Sequence, residues 1–292
     1  ADWKDIARQG GAWKIGPAYG SDRLSGRTHL MNGVRGRRQD YGTNGQPKLS
    51  VIHSLGDTTH GYANWGRTFR VLTGCTAPAY LSPGQAPVQP STNTGMELGL
   101  KFQPFHGSQA RLAVWQQDAE NEVSNMPATG TTVTLGKTRR RGVDAQLSLQ
   151  LGDDWTVWAS HAYQEAKITR DDRDAALSLQ GREVAATPRH ISNLGVDYRA
   201  SDALRLGLQA RAQGDYYLEE RNEAGKFGGF AVLDLSAAYQ INPRWSVDLQ
   251  LKNVTGREYA YAWYDSFFWD SARPMFSPAP GRSVFVGLNM KL

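Results

Sequence analysis

From Tyr261 to Trp269 the chain places six aromatic rings in nine residues, and an arginine, Arg273, follows. Trp263, Tyr264, Phe267, Phe268 and Trp269 offer flat faces for stacking on a planar or aryl ligand, and Arg273 offers a planar cation for an anionic one. The same residues would also serve as an aromatic girdle, whose rings sit at headgroup depth in a membrane. Tyr216, Tyr217 and Arg221 repeat the combination on a smaller scale. A third grouping is the basic run Lys137-Thr138-Arg139-Arg140-Arg141. Nucleic-acid binding needs a groove-fitting element or a stacking platform beside such charge, and neither accompanies this run.

Catalytic chemistry finds no purchase. The chain has no GxSxG elbow, HExxH pair, P-loop or Rossmann glycine pattern. Its six histidines fall in different segments. Ser160 and His161 are adjacent, but neighbours on one strand point to opposite faces, so they cannot form a dyad. The single cysteine, Cys75, excludes an intrachain disulfide and any CxxC metal or redox pair. The acid pairs Asp171-Asp172 and Glu219-Glu220 fit solvated loops, and no metal site is expected.

These residues need elements to hold them, and the alternation of polarity says which. The chain has 292 residues, a formal charge of +5 and 40% hydrophobic residues. Its mean hydropathy is −0.53. No apolar run approaches the roughly 18 residues of a membrane-spanning helix, which excludes a helical membrane protein but not a β-barrel. Trp245 to Lys252 alternates apolar and polar residues without a fault, as a strand with one apolar face does. Leu204 to Gln213, Ala231 to Gln240, Val143 to Leu151 and Val284 to Leu292 behave alike.

Strands are expected at 12–19, 24–36, 47–55, 58–69, 93–103, 109–123, 137–151, 155–169, 190–200, 204–218, 229–240, 245–260 and 281–292. Many exceed the five or six residues usual in soluble sheets. Tight turns such as Gly152-Asp153-Asp154 and Ser201-Asp202 alternate with long connections such as 71–92, 124–136, 170–189 and 261–281. Short turns on one side and long loops on the other mark an antiparallel transmembrane β-barrel. A soluble β-rich binding module is the competing fold. With short turns in the periplasm, thirteen strands make both the first and the last run inward, an odd count that implies a missing N-terminal part. The absence of a secretory signal at Ala1 to Asp5 points the same way.

Four segments carry a family resemblance. Gly61 to Arg70 is similar to a "YAxxGRxFRxP" strand, followed by Thr92 to Lys101, similar to "TxxYELGLK". Arg141-Gly142-Val143-Asp144 is similar to an "xxGxE" strand start, with Asp in place of Glu. Leu251 to Ala260 matches "NLxNxxY", and Pro280 to Leu288 matches "PGRxxxxGxxxxF". In order and spacing they resemble the C-terminal barrel of TonB-dependent outer-membrane receptors. Departures are Val71-Leu72, where an early proline is usual, and a terminal Leu292 in place of an aromatic.

The resemblance implies a 22-stranded barrel in the bacterial outer membrane. Residues 1–292 would supply its C-terminal part, with the plug domain and about nine strands outside. It implies TonB-coupled uptake of a scarce ligand, most often a ferric siderophore, with cobalamin, haem or an oligosaccharide as alternatives and with no covalent cofactor. A passive porin or structural barrel is the rival function. The aromatic residues and Arg273, with Tyr216, Tyr217 and Arg221, then become candidate contacts for an iron–catecholate complex. Lys137, Arg139, Arg140 and Arg141, at the extracellular end of a strand, become candidate contacts for lipopolysaccharide phosphates. The expected partners are membrane lipid, lipopolysaccharide, TonB and a small metal chelate, with no nucleic acid.

Overall fold

The computed structural model describes residues 13–29, 35–70, 90–126, 131–134, 136–171, 178–265 and 273–291, with side chains for all of these except 22–29, 35–41, 123–126, 131–134, 262–265 and 273–274. Among the described residues every element is a strand: β1 (Lys14–His29), β2 (Arg35–Ser54), β3 (Thr59–Arg70), β4 (Ser91–Phe102), β5 (Ser108–Glu120), β6 (Val123–Met126), β7 (Thr131–Thr134), β8 (Lys137–Leu151), β9 (Trp155–Arg170), β10 (His190–Arg199), β11 (Leu204–Gln213), β12 (Tyr216–Tyr217), β13 (Lys226–Phe227), β14 (Phe230–Asn242), β15 (Trp245–Lys252), β16 (Ala260–Asp265), β17 (Arg273–Pro278) and β18 (Ser283–Met290). Twelve of them form one antiparallel sheet in the order β1-β2-β3-β4-β5-β8-β9-β10-β11-β14-β15-β18. The other six pair as hairpins inside the long connections: β6 with β7, β12 with β13, and β16 with β17.

The register joins the apolar faces into one surface. Across mid-sheet, Ala110 lies opposite Leu147, Leu147 opposite Ala159, Ala159 opposite Leu194, Leu194 opposite Ala210, and Ala210 opposite Leu233. One residue along, the row reads Gln109, Ser148, Trp158, Gly195, Gln209 and Asp234. A one-residue slip at any ladder would turn one strand's apolar side chains onto the polar face, so the alternation fixes the pairing. The apolar face is open: Leu206 is 40% exposed and Val286 72%, values that suit a surface covered by lipid.

The band has membrane dimensions. On β8 the outward face is apolar from Leu151 to Val143 and becomes charged at Arg141. Ten residues at about 3.3 Å each, tilted about 40°, rise roughly 25 Å, the height of a barrel's lipid-facing band. At the short-turn rim Trp155 stacks on Tyr198 at 4.1 Å, with Tyr239 and Trp245 further along the same outward face, forming an aromatic girdle.

Turn chemistry sets the short rim. The Asn242 side-chain oxygen accepts the backbone N–H groups of Arg244 (2.9 Å) and Trp245 (3.1 Å). Gly152, with φ 63°, takes a conformation that a Cβ disfavours.

On the polar face three large rings lie over the glycine directly across the ladder: Tyr62 over Gly99, Trp115 over Gly142, and Trp158 over Gly195. A Cβ at any of these glycines would overlap the ring. Gly195→Val is therefore expected to displace Trp158 and cost about 1–3 kcal/mol, the range of an overpacked core. A lowered urea midpoint would show it, and an unchanged midpoint would contradict the ring-on-glycine packing.

Among the described residues the sheet contains twelve strands rather than thirteen. The segments expected at 12–19, 24–36 and 47–55 are two long strands, β1 and β2. Gly16, Pro17, Gly20 and Gly26 read as turn residues, yet register shifts between Arg23 and Ser25 and between Arg27 and His29 absorb the irregularity. Pro47 falls where the β2–β3 ladder stops at Lys48, so its missing N–H breaks no pair on that side. With an even count β1 starts, and β18 ends, at the short-turn rim, and the odd parity does not arise. Among the described residues each of these two strands is paired on one side only, so the barrel is partial and open. The strands expected at 204–218 and 245–260 stop at Gln213 and Lys252, and the loop hairpins start further on, at Tyr216 and Ala260.

Candidate functional site

At the long-loop rim two connections fold into one unit. Residues 178–184 extend the β9 edge: Gly181 N–H donates to the Ile168 carbonyl (2.8 Å), Ile168 N–H to that of Arg182 (2.9 Å), and Val184 N–H to that of Ala166 (3.0 Å). Leu179 and Val184 then close over Ala166 and the fully buried Ile168, residues that share the polar, lumen side of β9. This connection therefore folds inward over the lumen.

The next connection, 214–229, is tied to it by Asn222. With φ 60°, Asn222 accepts the Glu183 N–H on Oδ1 (2.7 Å), and its Nδ2 donates to the carbonyls of Glu183 (3.0 Å) and Glu219 (3.1 Å). The Glu219 carboxylate accepts the backbone N–H groups of Glu223 (2.6 Å) and Ala224 (3.1 Å). Glu183 pairs with Arg189 at 2.6 Å and Lys226 at 3.7 Å. Burial opposes the charge on Arg189, but the Glu183 hydrogen bond is the larger effect and raises its pKa further.

Aromatic contacts carry the unit on to the third hairpin. Phe227 meets Phe276 edge-on at 4.7 Å, and Phe230 lies 4.5 Å from Tyr259 and 5.9 Å from Tyr261. The base of that connection is Asn253, buried, with φ 49°. Its N–H donates to Asp234 Oδ1 (2.7 Å), its Nδ2 to the Arg257 carbonyl (2.8 Å), and its Oδ1 accepts the Arg257 N–H (2.9 Å).

The candidate residues distribute unevenly over this frame. Tyr216 is buried, with its ring over Gly228, and Tyr217 carries the Lys226 ammonium 4.5 Å from its ring centre. Arg221 is half-buried, and its Nε lies buried with no hydrogen-bond partner among the described residues. Trp263, Tyr264 and Arg273 fall on the β16–β17 hairpin, with Trp263 opposite Met275, Tyr264 opposite Pro274, and Arg273 opposite Asp265. Phe267, Phe268 and Trp269 lie outside the described residues.

The basic run is split between faces. Lys137, Arg139 and Arg141 lie outward and pair with Glu120, with Asp118 (2.7 Å) and with Glu165 (2.8 Å). Arg140 points the other way and grips Glu122 with Nη1 (2.9 Å) and Nη2 (2.7 Å), beside the buried Thr138. Burial alone would push the Glu122 carboxyl up, but its bonds to Arg140 and Thr138 outweigh that and hold it below the usual carboxylate range. A carboxylate with a depressed folded pKa stabilises above its ordinary pKa, near 4.5, and loses that contribution as pH falls through the folded value. Acidification below about pH 4.5 is thus expected to lower the amide protection factors of β6, measured relative to the intrinsic exchange rate at each pH. Glu122→Gln should abolish the pH step, and a step retained in that variant would refute the assignment.

Several of these residues escaped the sequence reading. Strand parity alone would have set Arg140 apart from Arg139 and Arg141. Asn253 sat inside a recognised motif without a role. The lumen network, in which Arg111 donates through Nε to the Tyr62 hydroxyl (2.8 Å) and through Nη2 to Glu97 (2.9 Å), had no local signal, because its members lie on three strands. His161 meets Ser192 across the ladder, Nδ1 to Oγ at 2.8 Å, while Ser160 faces the other side and accepts from Asn193 Nδ2 (3.3 Å).

Residues 6–254 match the family model described as TonB dependent receptor-like, beta-barrel. The chain is similar to the metal-pseudopaline receptor of Pseudomonas aeruginosa, 24% identical over 234 residues, covering 78% of this chain and 32% of that protein. It is also similar to the ferric-pyoverdine M114 receptor of a Pseudomonas species, 27% identical over 224 residues, covering 73% and 26%. Among solved structures, the unliganded ferric citrate transporter superposes with a TM-score of 0.78 at 21% identity, covering 95% of this chain and 42% of that one. The chain thus spans about a third or less of these curated relatives' length.

Proposed function

Because the chain belongs to the TonB-dependent receptor β-barrel family, we propose that it builds part of the wall and the extracellular mouth of a receptor that takes up a ferric siderophore with TonB coupling. The family resides in the bacterial outer membrane and consists of receptors and transporters rather than enzymes. In this reading residues 1–292 supply the C-terminal share of the barrel, while a plug domain and its TonB contact complete the receptor. The relatives' names support an iron-loaded chelate over cobalamin, haem or an oligosaccharide.

The observation that carries the proposal is the mouth itself, where a connection folded inward over the lumen is clamped to its neighbour. Arg221 lies half-buried in it, and the accessible part of that cationic side chain would attract an anionic chelate. Trp263, Tyr264, Phe267, Phe268, Trp269 and Arg273 would add stacking and charge from the third hairpin, and Tyr216 and Tyr217 shape the clamp. On the outward face, Lys137, Arg139 and Arg141 are assigned to lipopolysaccharide phosphates and Arg140 to anchoring the connection at Glu122.

A strain lacking the gene is expected to lose growth on one ferric siderophore as sole iron source. Arg221→Ala should restore growth only at high chelate, with Kd raised about 10-fold or more, as for a lost hydrogen bond to a charged group. Unaltered use of every siderophore tested would contradict the iron assignment, and uptake unchanged without TonB would favour a passive barrel.

A further inference from the structure

We propose that His161 and His190 form a two-imidazole site for a divalent transition-metal ion of the zinc, copper or nickel class, on the outward wall just below the outer edge of the apolar band. The histidines are scattered along the sequence, and the β9–β10 ladder brings these two together. His161 lies opposite Ser192 and His190 opposite Tyr163, so the pair are diagonal neighbours on one face. Both are exposed, and their ring centres lie 5.6 Å apart with 35° between the planes. Two imidazoles on one ion, at about 2.1 Å per nitrogen and roughly 100–130° apart, hold their ring centres about 5–6 Å from each other. The rings therefore stand at the separation that a shared ion requires.

The ring nitrogens suit ligation. His161 Nδ1 lies 2.8 Å from Ser192 Oγ, and when it donates its proton there the lone pair is left on Nε2, the arrangement in which a neighbour orients a metal-binding histidine. The His190 ring makes no hydrogen bond among the described residues. The Tyr163 ring packs 5.1 Å from it, with the hydroxyl turned to Glu165 Oε1 (3.1 Å). The flanking outward residues are small: Ala145 opposite His161 on β8, and Ala212 opposite Ser192 on β11. No third histidine, cysteine or acid joins the pair among the described residues, so water fills the other coordination positions and the site is open. Imidazole nitrogens select zinc, copper and nickel over calcium and magnesium, which require oxygen ligands. From the girdle residue Tyr198 up to His190 is eight residues of β10, about 20 Å in a band roughly 25 Å tall. Just above Tyr163, the Glu165–Arg141 pair marks the wet edge from which ions arrive. Ionisable side chains this far down a lipid-facing wall are costly, and a shared ion gives these two a purpose.

The test uses the full receptor, purified in detergent without an affinity tag and stripped with EDTA, and Cu2+ as the probe. Electron spin echo modulation of the wild type should report one ion that carries two imidazole nitrogens. His161→Ala and His190→Ala should each remove that signal and weaken Cu2+ binding there about 10-fold or more, at least the cost of losing a group that merely orients a ligand. His190→Phe keeps a ring against Tyr163 and removes the nitrogens, so it should lose binding equally. It also serves if the alanine variant fails to fold, with heat-modified gel mobility as the folding control. No two-imidazole signal in wild type, or a signal that survives both substitutions, would overturn the site. Loss in one histidine variant alone would overturn the sharing of the ion between the two rings. Equal competition by Ca2+ would overturn the assignment to a transition metal.

Discussion

Leu147→Arg is expected to destabilise the folded sheet by about 2–4 kcal/mol, the cost of a cation facing lipid at mid-depth in a barrel wall. Leu147 sits in the apolar row between Ala110 and Ala159, halfway between the girdle at Trp155 and the charged edge at Arg141. Ser148→Arg, one residue along, projects into the polar face beside Gln109 and should change stability by less than about 0.5 kcal/mol, as surface substitutions do. Urea unfolding in lipid vesicles, followed by tryptophan fluorescence, separates the two. Equal losses at both positions would mean that the faces do not meet different solvents.

Asn253→Ala should cost about 2–4 kcal/mol from two sources. The residue holds φ 49°, a left-handed conformation that costs about 1–2 kcal/mol for most L-residues and that Asn tolerates better than Ala because its side chain bonds locally. It also loses its side-chain bonds to both backbone groups of Arg257, which are what fold the turn back on the buried Asn253. Asn253→Gly removes the first cost and keeps the second, so it should recover roughly half of the loss. A glycine variant as stable as wild type would show that the side-chain bonds contribute nothing. The functional consequence lies above the turn, because Asn253 sets where β15 ends and where the connection carrying β16 and β17 leaves the wall.

What could be read in advance divides along a physical line. The two faces of β11, β14 and β15 were legible, though not the ends of β11 and β15, because one face meets lipid and the other water, and that contrast is written as period two. β1 and β2 were not, since glycine and proline there signal turns and only the bulged register shows that the strand continues. In the candidate site, the aromatic and basic groupings were visible as composition. The clamp was invisible, because Asn222 and Glu183 are 39 residues apart and meet only when both connections fold. The same holds for Glu122, whose partner Arg140 became distinct from its neighbours once strand parity assigned it to the lumen.

The central claim is that this sheet is a membrane wall with lipid on one side and an aqueous lumen on the other. Spin labels placed singly along β11, at Leu204 through Gln213 in a Cys75→Ser background and in outer-membrane vesicles, test it directly. Labels at Leu206, Leu208 and Ala210 should collide with oxygen and be shielded from a water-soluble nickel chelate, and labels at Arg205, Gly207 and Gln209 should do the reverse. Accessibility without a two-residue period, or with the two sets exchanged, would contradict it.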